Sequence, residues 1–335
     1  MSYGFRQHLS GFCPSKPTFT EFSLPDLSNK VYLVTGSTSG IGLSLAGLLY
    51  SKNAHIYITS RSAPTAERVI KSIQSSFPTS TGKLSYLVLN LSDLHTIAPA
   101  AKEFLKREKR LHVAWYNAGI MNPQKGSQTA QNYEVQWGTN VLGHFLLDRL
   151  IFPALLATAA DPSSPKGSIR TVWVSSDGHG LFSPKPDGVD WDDIATKKPA
   201  EGWEPERGTM WYYGQSKAGN VLLALETAKR YFDKDIVSVS LNPGHLRTNL
   251  DRGGSWLQKK IVDLLFNYDV VYGAYTELYA GLSEDISQEN NGAYLIPWGR
   301  VGAARPDIME GFEKRGTGKR LWEYCEKEVQ HFMSG

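Results

Sequence analysis

The fold class predicted for this chain is α/β, one domain on a doubly wound parallel sheet of about seven strands flanked by helices. Three observations carry that expectation. From Val31 onward, short runs of apolar and β-branched residues alternate with stretches of helical periodicity. The first apolar run ends in a glycine-rich turn, and no internal repeat is visible. At 335 residues and 41% hydrophobic content, the chain can bury a full core.

Residues 1–29 contain Pro and Ser without periodicity and read as an N-terminal arm, leaving residues 30–335 to the domain. Val31-Tyr-Leu-Val-Thr35 is the first strand, and Ile41, Leu45, Leu48 and Leu49 follow at helical spacing. Ile56-Tyr-Ile58 forms the second strand, with a helix around Glu67 to Ile73, and Leu84 to Leu89 forms the third. Asp93 is placed to N-cap a helix carrying Leu94, Ile97, Ala101 and Leu105. Val113 to Tyr116 is the fourth strand, followed by a helical stretch from Val135 to Leu156. Arg170 to Val174 is the fifth, Val221 to Ala228 lies on the next helix, and Val237 to Leu241 is the sixth. Residues 177–212 hold four prolines and five glycines and read as a loop insertion, with a substrate lid at about 245–282. Trp322, Tyr324 and Val329 mark a C-terminal helix that docks on the body or extends a dimer contact.

Composition excludes several classes. Lys plus Arg is 36 against 33 Asp plus Glu, a net charge of +3 with no long run of one sign, which gives no footprint for nucleic acid. Cys13 and Cys325 form neither a metal spacing nor a disulfide framework, which suits a reducing compartment. His144, His179 and His245 show no ligand spacing, so no metal is expected. No apolar stretch approaches the roughly 20 residues that span a bilayer, so no integral membrane segment is expected. Arg6, His8, Pro14, Lys16 and Pro17 leave no signal-peptide core in the first residues, and the expected location is cytoplasmic. Asn90-Leu91-Ser92 matches a glycosylation sequon but falls at a strand end, where chance is the better reading.

The chemistry centres on Tyr213-Gly-Gln-Ser-Lys217, with Ser176 and Asn140 upstream. Residues four apart share a helix face, so the Lys217 ammonium can sit near the Tyr213 phenol. Such a charge lowers a phenol pKa from about 10 toward neutrality and suits it to exchange a proton with an alkoxide. Taken alone, a solvated amphipathic pair is the commoner origin of this spacing. The turn Thr35 to Gly42 supplies Gly36, Ser37, Ser39, Gly40, Ile41 and Gly42 between the first strand and first helix. There, glycines admit a pyrophosphate to the backbone and to the free N–H groups of a helix N-terminus. At the tip of the second strand stands Ser60-Arg61 with no carboxylate. A guanidinium there suits a 2′-phosphate and hence NADP(H); the plainer alternative is a surface arginine.

These motifs, with Asn117-Ala118-Gly119 and Pro243-Gly244 in consistent order, resemble the short-chain dehydrogenase/reductase family over about residues 28–300. The implied fold is Rossmann-type. Tyr213-Gly-Gln-Ser-Lys217, Asn140-Val-Leu-Gly-His144 and Val174-Ser-Ser176 resemble its retinol-dehydrogenase-like branch. Lys16-Pro-Thr-Phe-Thr-Glu21 and Tyr294-Leu-Ile-Pro-Trp298 look like fungal members of that branch, which implies secondary metabolism. The resemblance implies that Tyr213 is the general acid or base and that Lys217 lowers its pKa and holds the nicotinamide ribose. It implies that Ser176 orients the substrate oxygen and that Asn140 holds a relay water. Asn117, Ala118 and Gly119 would line the adenosine side, Pro243 and Gly244 the nicotinamide pocket, and Thr248 would reach the carboxamide. Asn90, followed by Leu91, stands where relatives often carry Asp, and an amide can still meet the adenine edge. Ser176 and Tyr213 are 37 residues apart, beyond the short connection usual in the family.

The expected activity is therefore NADP(H)-dependent hydride transfer to or from a carbonyl or secondary alcohol of a hydrophobic small molecule, in a monomer or homodimer. Met210, Trp211 and Tyr212, together with the lid, are the candidate substrate pocket, against core packing as the alternative. An isomerase or cyclase that binds the same cofactor without net redox remains open, since fold does not determine reaction. A non-catalytic nucleotide-binding protein is the third possibility, and the full set Asn140, Ser176, Tyr213 and Lys217 counts against it.

Overall fold

In a computed structural model, residues 4, 14–194, 207–246 and 268–333 are described. Apolar runs covered on both faces make near-continuous hydrophobic strands. Accordingly, β1 (Val31–Val34), β2 (His55–Ser60), β3 (Lys83–Val88), β4 (Val113–Tyr116), β5 (Ile169–Val174) and β6 (Ile236–Leu241) stand close to where they are expected. Two short strands, β7 (Tyr294–Ile296) and β8 (Arg300–Gly302), complete a single eight-stranded sheet of order β3-β2-β1-β4-β5-β6-β7-β8. All neighbours pair in parallel except β7 and β8, so the sheet has one strand more than expected and an antiparallel edge.

Helices cover both faces. On one lie α1 (Gly40–Tyr50), α2 (Ala63–Ser76) and α6 (Val270–Leu282). On the other lie α3 (Ile97–Arg107), α4 (Val135–Ala159), α5 (Thr209–Arg230) and α7 (Thr317–Val329). Strand side chains alternate between the two cores: Val113 and Trp115 of β4 join the first, Ala114 and Tyr116 the second. Asp93 does cap, but it opens a 3₁₀ turn, Leu94–Thr96, through His95 N–H at 3.2 Å before α3 begins. Helix α4 is long and apolar enough to cross a membrane by length and composition, contrary to the expectation that no stretch reaches that length; most of it is buried against the sheet.

The described part of the N-terminal arm is docked. Leu24 and Leu27 are buried, Phe19 meets Tyr279 edge-on with centroids 5.9 Å apart, and Glu21 hydrogen-bonds Tyr275. The insertion after β5 is docked too, as far as Ile194. Val189 and Ile194 enter the core, Arg320 of α7 covers the Trp191 ring at 4.0 Å, and Asp187 accepts from Arg315 Nε at 2.9 Å and Thr317 Oγ1 at 3.0 Å.

Strand β1 ends beside β4 at the point where strand order reverses, and a crevice opens there as doubly wound sheets require. Behind the end of β4, the Tyr116 hydroxyl donates to Asp148 Oδ1 of α4 at 2.6 Å, while Asp148 Oδ2 has no partner. Burial pushes this carboxyl from 3.8 up to about 7. A raised carboxyl pKa favours the folded state at low pH, and that contribution is lost as pH rises from about 4 through about 7. Asp148→Asn keeps an acceptor for Tyr116 and removes the ionisation. Thermal denaturation across pH should show Asp148→Asn gaining about 2–4 °C over wild type above pH 7, with the gain shrinking toward pH 4.

Candidate active site

Two motif turns meet at the crevice through Thr35. Its hydroxyl stands 2.9 Å from His144 Nε2 and 3.2 Å from the Trp115 carbonyl, and it accepts the Ala118 N–H at 2.9 Å. Asn117 Nδ2 donates back to the Thr35 carbonyl at 2.8 Å. Gly36 follows with φ of +66°, and a Cβ there would stand 2.8 Å from Ala118 Cα, so glycine alone lets the turns approach this closely. Burial pushes His144 down to about 3, which keeps the ring neutral; its Nδ1 then donates to the Asn140 carbonyl at 3.1 Å.

The resulting cleft has a volume of about 1030 Å³. Gly36, Ser39, Gly40 and Ile41 line it from the first turn, and Arg61 from the tip of β2. Asn90 and Leu91 line it beyond β3, with Asn117, Ala118 and Gly119 beyond β4. Tyr213, Lys217 and Pro243 close the far end. Ser39 makes no side-chain cap to α1, so the first-turn N–H groups have no capping hydroxyl and suit a bound diphosphate. These residues fit a nicotinamide dinucleotide.

Three expected cofactor residues do not line the cleft themselves. Ser37 is fully buried, donates to the Val34 carbonyl at 2.8 Å and accepts the Thr59 N–H at 2.9 Å, so its hydroxyl locks β1 to β2. Gly42 packs against Asn117 and the Gly36 carbonyl, and Gly244 against Trp298. Thr248 lies outside the described residues. The lid expectation is only partly within view: Leu246 bridges to Tyr268, and residues 247–267 between them lie outside the described residues.

Helix α5 runs against β5 and carries the reactive pair. Lys217 Nζ donates to the Val174 carbonyl at 2.8 Å and lies 5.7 Å from the Tyr213 ring centroid. Burial holds the lysine down at about 8. Ser176 hydrogen-bonds the Tyr213 phenol, and Gly178 lies flat under the ring: a Cβ there would stand 2.8 Å from Tyr213 Cε1. Burial pushes the Tyr213 phenol above 10, against the smaller lowering effect of Ser176. This corrects the expectation of a phenol depressed by its lysine, because the ammonium is directed at Val174. Asn140 sits in a π-helical turn, Gly138–Gly143, of α4. Its Oδ1 accepts the Ile120 N–H at 2.8 Å, and its Nδ2 donates to the Ile120 carbonyl and Ser216 Oγ, both at 3.0 Å. The side chain thus clamps the cleft wall to α5.

The aromatic residues before Tyr213 do not line the cleft. Tyr212 donates to Asp193 Oδ2 at 2.9 Å, and Trp211 stacks edge-on to Tyr212 at 5.0 Å. A second aromatic group, Tyr268, Tyr272 and Trp298, has centroids 5.0–5.6 Å apart and packs against Gly244, next to the cleft-lining Pro243, without lining the cleft itself. Ser176 is braced from behind. His179 Nδ1 lies 2.7 Å from the Ser176 carbonyl, and its Nε2 accepts the Arg305 N–H at 3.2 Å. His245 Nε2 stands 3.2 Å from Asp177 Oδ2 and joins the turns after β5 and β6. Sequence reasoning also missed Thr139, which lines the cleft with its buried hydroxyl unpaired, and Gly178. The place of Thr139, next to Asn140, was the available signal.

Comparison with known proteins agrees with this geometry. The short chain dehydrogenase family matches residues 30–180. A short-chain dehydrogenase/reductase of Phomopsis amygdali is 41% identical over 329 residues, covering 96% of this chain and 95% of its own. Short-chain dehydrogenase/reductase pkfC of Emericella nidulans is 41% identical over 321 residues, covering 95% and 98%. Among solved structures, an uncharacterised protein from Mycobacterium Paratuberculosis superposes with a TM-score of 0.66 at 22% identity, over 93% of this chain and 97% of that one. The NADPH-bound carbonyl reductase from chicken fatty liver gives 0.58 at 22%, over 83% and 100%. The 3-ketoacyl-(acyl-carrier-protein) reductase from Brucella melitensis, complexed with NADH, gives 0.57 at 21%, over 80% and 96%. With a glycine turn, a buried Tyr-Lys pair and full-length fungal relatives in agreement, this chain belongs to the short-chain dehydrogenase/reductase family, whose members are nicotinamide-dependent oxidoreductases.

Proposed function

We propose that the chain is an NADP(H)-dependent oxidoreductase that transfers hydride between the nicotinamide and a carbonyl or secondary alcohol of a hydrophobic metabolite. One observation carries this reading: Tyr213, hydrogen-bonded by Ser176 and one helical turn from Lys217, stands at the end of a cleft that is also lined by Arg61. The cofactor, when bound, supplies or accepts the hydride. Ser176 hydrogen-bonds the oxygen at which the proton moves, and Tyr213 delivers or withdraws that proton. A phenol held above 10 keeps its proton at neutral pH, so the resting site is set up as an acid, the form that reduction of a carbonyl needs.

Support for NADP(H) over NAD(H) comes from Arg61 and the absence of a carboxylate in Ser60-Arg61-Ser62, since one solved neighbour carries NADPH and another NADH. Support for a hydrophobic substrate comes from Ile120, Met121 and Val270 in the cleft lining and from the aromatic group packed behind Gly244. The place we give it, secondary metabolism, follows from the fungal resemblance of Lys16–Glu21 and Tyr294–Trp298. A cytoplasmic monomer or homodimer completes the reading.

Two measurements test it. Arg61→Glu should weaken NADPH binding about 10- to 100-fold by isothermal titration while leaving NADH within a few-fold, the worth of a charge-assisted phosphate contact; equal losses for both cofactors would remove the NADP assignment. Tyr213→Phe should lower kcat for NADPH-dependent carbonyl reduction by about 100-fold or more while NADPH still binds. Turnover at the wild-type rate in Tyr213→Phe would break the acid–base assignment.

A further inference from the structure

One turn before Asn140 on α4 stands a second buried amide, Gln136, to which the proposed reaction gives no part. Gln136 has no exposed surface, yet its amide is fully engaged. Its Nε2 donates to the Thr209 carbonyl at 2.9 Å and to Glu134 Oε1 at 3.2 Å, while its Oε1 accepts the Asn122 N–H at 3.1 Å. The Thr209 carbonyl can only accept and the Asn122 N–H can only donate, so the amide has one orientation. Glu134 keeps it in place. Its Oε2 accepts the Trp137 N–H at 2.8 Å, which caps the start of α4 and fixes the carboxyl beside the amide.

Gln136 thus bonds main-chain groups of two other segments, the loop after β4 and the first residue of α5. The same two segments meet a second time at the rim, where the Thr209 hydroxyl donates to Asn122 Oδ1 at 2.6 Å. Asn122 holds φ of +49°, in the left-handed region that asparagine tolerates better than most residues.

With Asn140 this makes a ladder of two rungs between the cleft wall and α5. Asn140 joins Ile120 to Ser216, and Gln136 joins Asn122 to Thr209. Ile120 and Asn122 are two residues apart in the loop, and Thr209, Tyr213 and Ser216 fall at helical spacing on one face of α5. Tyr213 therefore lies between the rungs. The Asn140 rung is on the Lys217 side: a Cβ on Gly119 would stand 3.4 Å from Lys217 Nζ and 3.5 Å from Asn140 Oδ1. The Gln136 rung is on the other side of the phenol. It holds the stretch Met121, Asn122, Pro123 and Gln124, all of which line the cleft.

We propose that Gln136 is a positioning residue for the substrate: it holds the Met121–Gln124 wall against α5, so that the end of the cleft beyond Tyr213 is already formed when a carbonyl compound arrives. This rests on the reading that Tyr213 acts on a carbonyl whose cofactor lies on the Lys217 side. Gln136 touches no reacting atom and acts through Asn122 and Thr209. The dinucleotide reach of the wall is held separately, by Thr35 at Ala118 and by Asn140 at Ile120. Loss of the Gln136 rung therefore costs substrate affinity and spares the cofactor, because a wall that must be ordered on binding takes its cost from the complex.

Gln136→Met keeps the length and bulk of the side chain and removes both bonds of the rung. With NADPH and phenanthrenequinone as the carbonyl probe, KM for the quinone should rise about 10-fold, while kcat and KM for NADPH stay within about 3-fold. A fall in kcat with KM for the quinone unmoved, or an equal rise in both KM values, overturns the proposal by leaving Gln136 a structural group. The placement is read without turnover, by hydrogen–deuterium exchange of the NADPH complex. The Asn122 amide should exchange about 10-fold faster in Gln136→Met, with the segments around Ala118 and Lys217 unchanged. Unchanged exchange at Asn122, or faster exchange throughout, overturns the rung. Should Gln136→Met fail to fold, Thr209→Val removes the rim bond alone and should raise KM for the quinone about 3-fold with NADPH again spared; an unmoved KM overturns the proposal. If the exchange arm succeeds while Tyr213→Phe retains full turnover, the rung stands and the acid–base reading fails.

Discussion

The arrangement depends on one costly placement, an ammonium inside the protein. Lys217 is almost wholly covered, and its described hydrogen bond is to the Val174 carbonyl, at the last residue of β5. That carbonyl also accepts Asn220 Nδ2 at 3.0 Å, so two residues of one helix face share a single acceptor at the sheet's edge. The acceptor is available because β4 ends at Tyr116, opposite Trp173, while the amide of the same peptide, Ser175 N–H, still bonds β6 at the Leu241 carbonyl at 2.8 Å. Helix α5 must therefore lie flat against the end of β5, and Ser175 Oγ secures it by donating to the Lys217 carbonyl at 2.8 Å. A carbonyl dipole cannot fully replace water around an ammonium, which is why burial draws the lysine downward.

The same edge explains why distant motifs are found together. Thr35 connects β1 to β4 and α4, and Asn140 connects α4 to the loop after β4 and to Ser216 on α5. Each bond satisfies a polar group that the crossovers would otherwise strand in the interior. The π-helical turn around Asn140 belongs to this network, placing the amide between Ile120 and Ser216 while its carbonyl meets His144. The cleft wall is thereby tied at three points before any cofactor contact is considered.

How much of this was legible follows from range. Strands β1, β2, β4, β5 and β6 could be read because both faces are covered and the runs are apolar, and edge strand β3 from its Leu84–Leu89 run, whereas β7 and β8 have three residues each and no periodicity to detect. The glycine turn and the Tyr-Lys spacing are local signals, and both lie on the cleft. What misled was also local. Ser37 and Gly42 belong to the same motif as Gly36 but face the sheet and Asn117, since a tight turn exposes only some of its residues. Tyr212 resembles a pocket aromatic next to Tyr213, yet one position on a helix turns it toward Asp193. The brace on Ser176 could not be read at all. His179 contacts Arg305, which also donates to the Ser183 carbonyl at 2.9 Å and pairs with Asp307 at 2.6 Å, across more than a hundred residues. Nothing in the local pattern of either segment announces the other.

The long connection into α5 gains a different meaning in this light. Its described part lies with the C-terminal segment: Asp187 takes Arg315 and Thr317, and Gln215 Oε1 accepts the Asp190 N–H at 2.7 Å. These bonds hold the first half of the insertion against the back of α5, opposite the cleft-lining Tyr213 and Lys217. Arg305 bonds both His179 and the start of the same insertion, so the turn bearing Ser176 and the outer surface of α5 share one support. The phenol and the serine that hydrogen-bonds it are thus held from a common side, by residues far from the cofactor cleft. That support matters because the phenol is not tuned by a close ammonium: its proton is retained through burial, and burial lasts only while Gly178 and the Ser176 turn stay pressed against the ring. The protonated state of Tyr213 is in this sense a packing property, braced by the C-terminal segment, while the Lys217 ammonium is drawn down by its own burial at the end of β5.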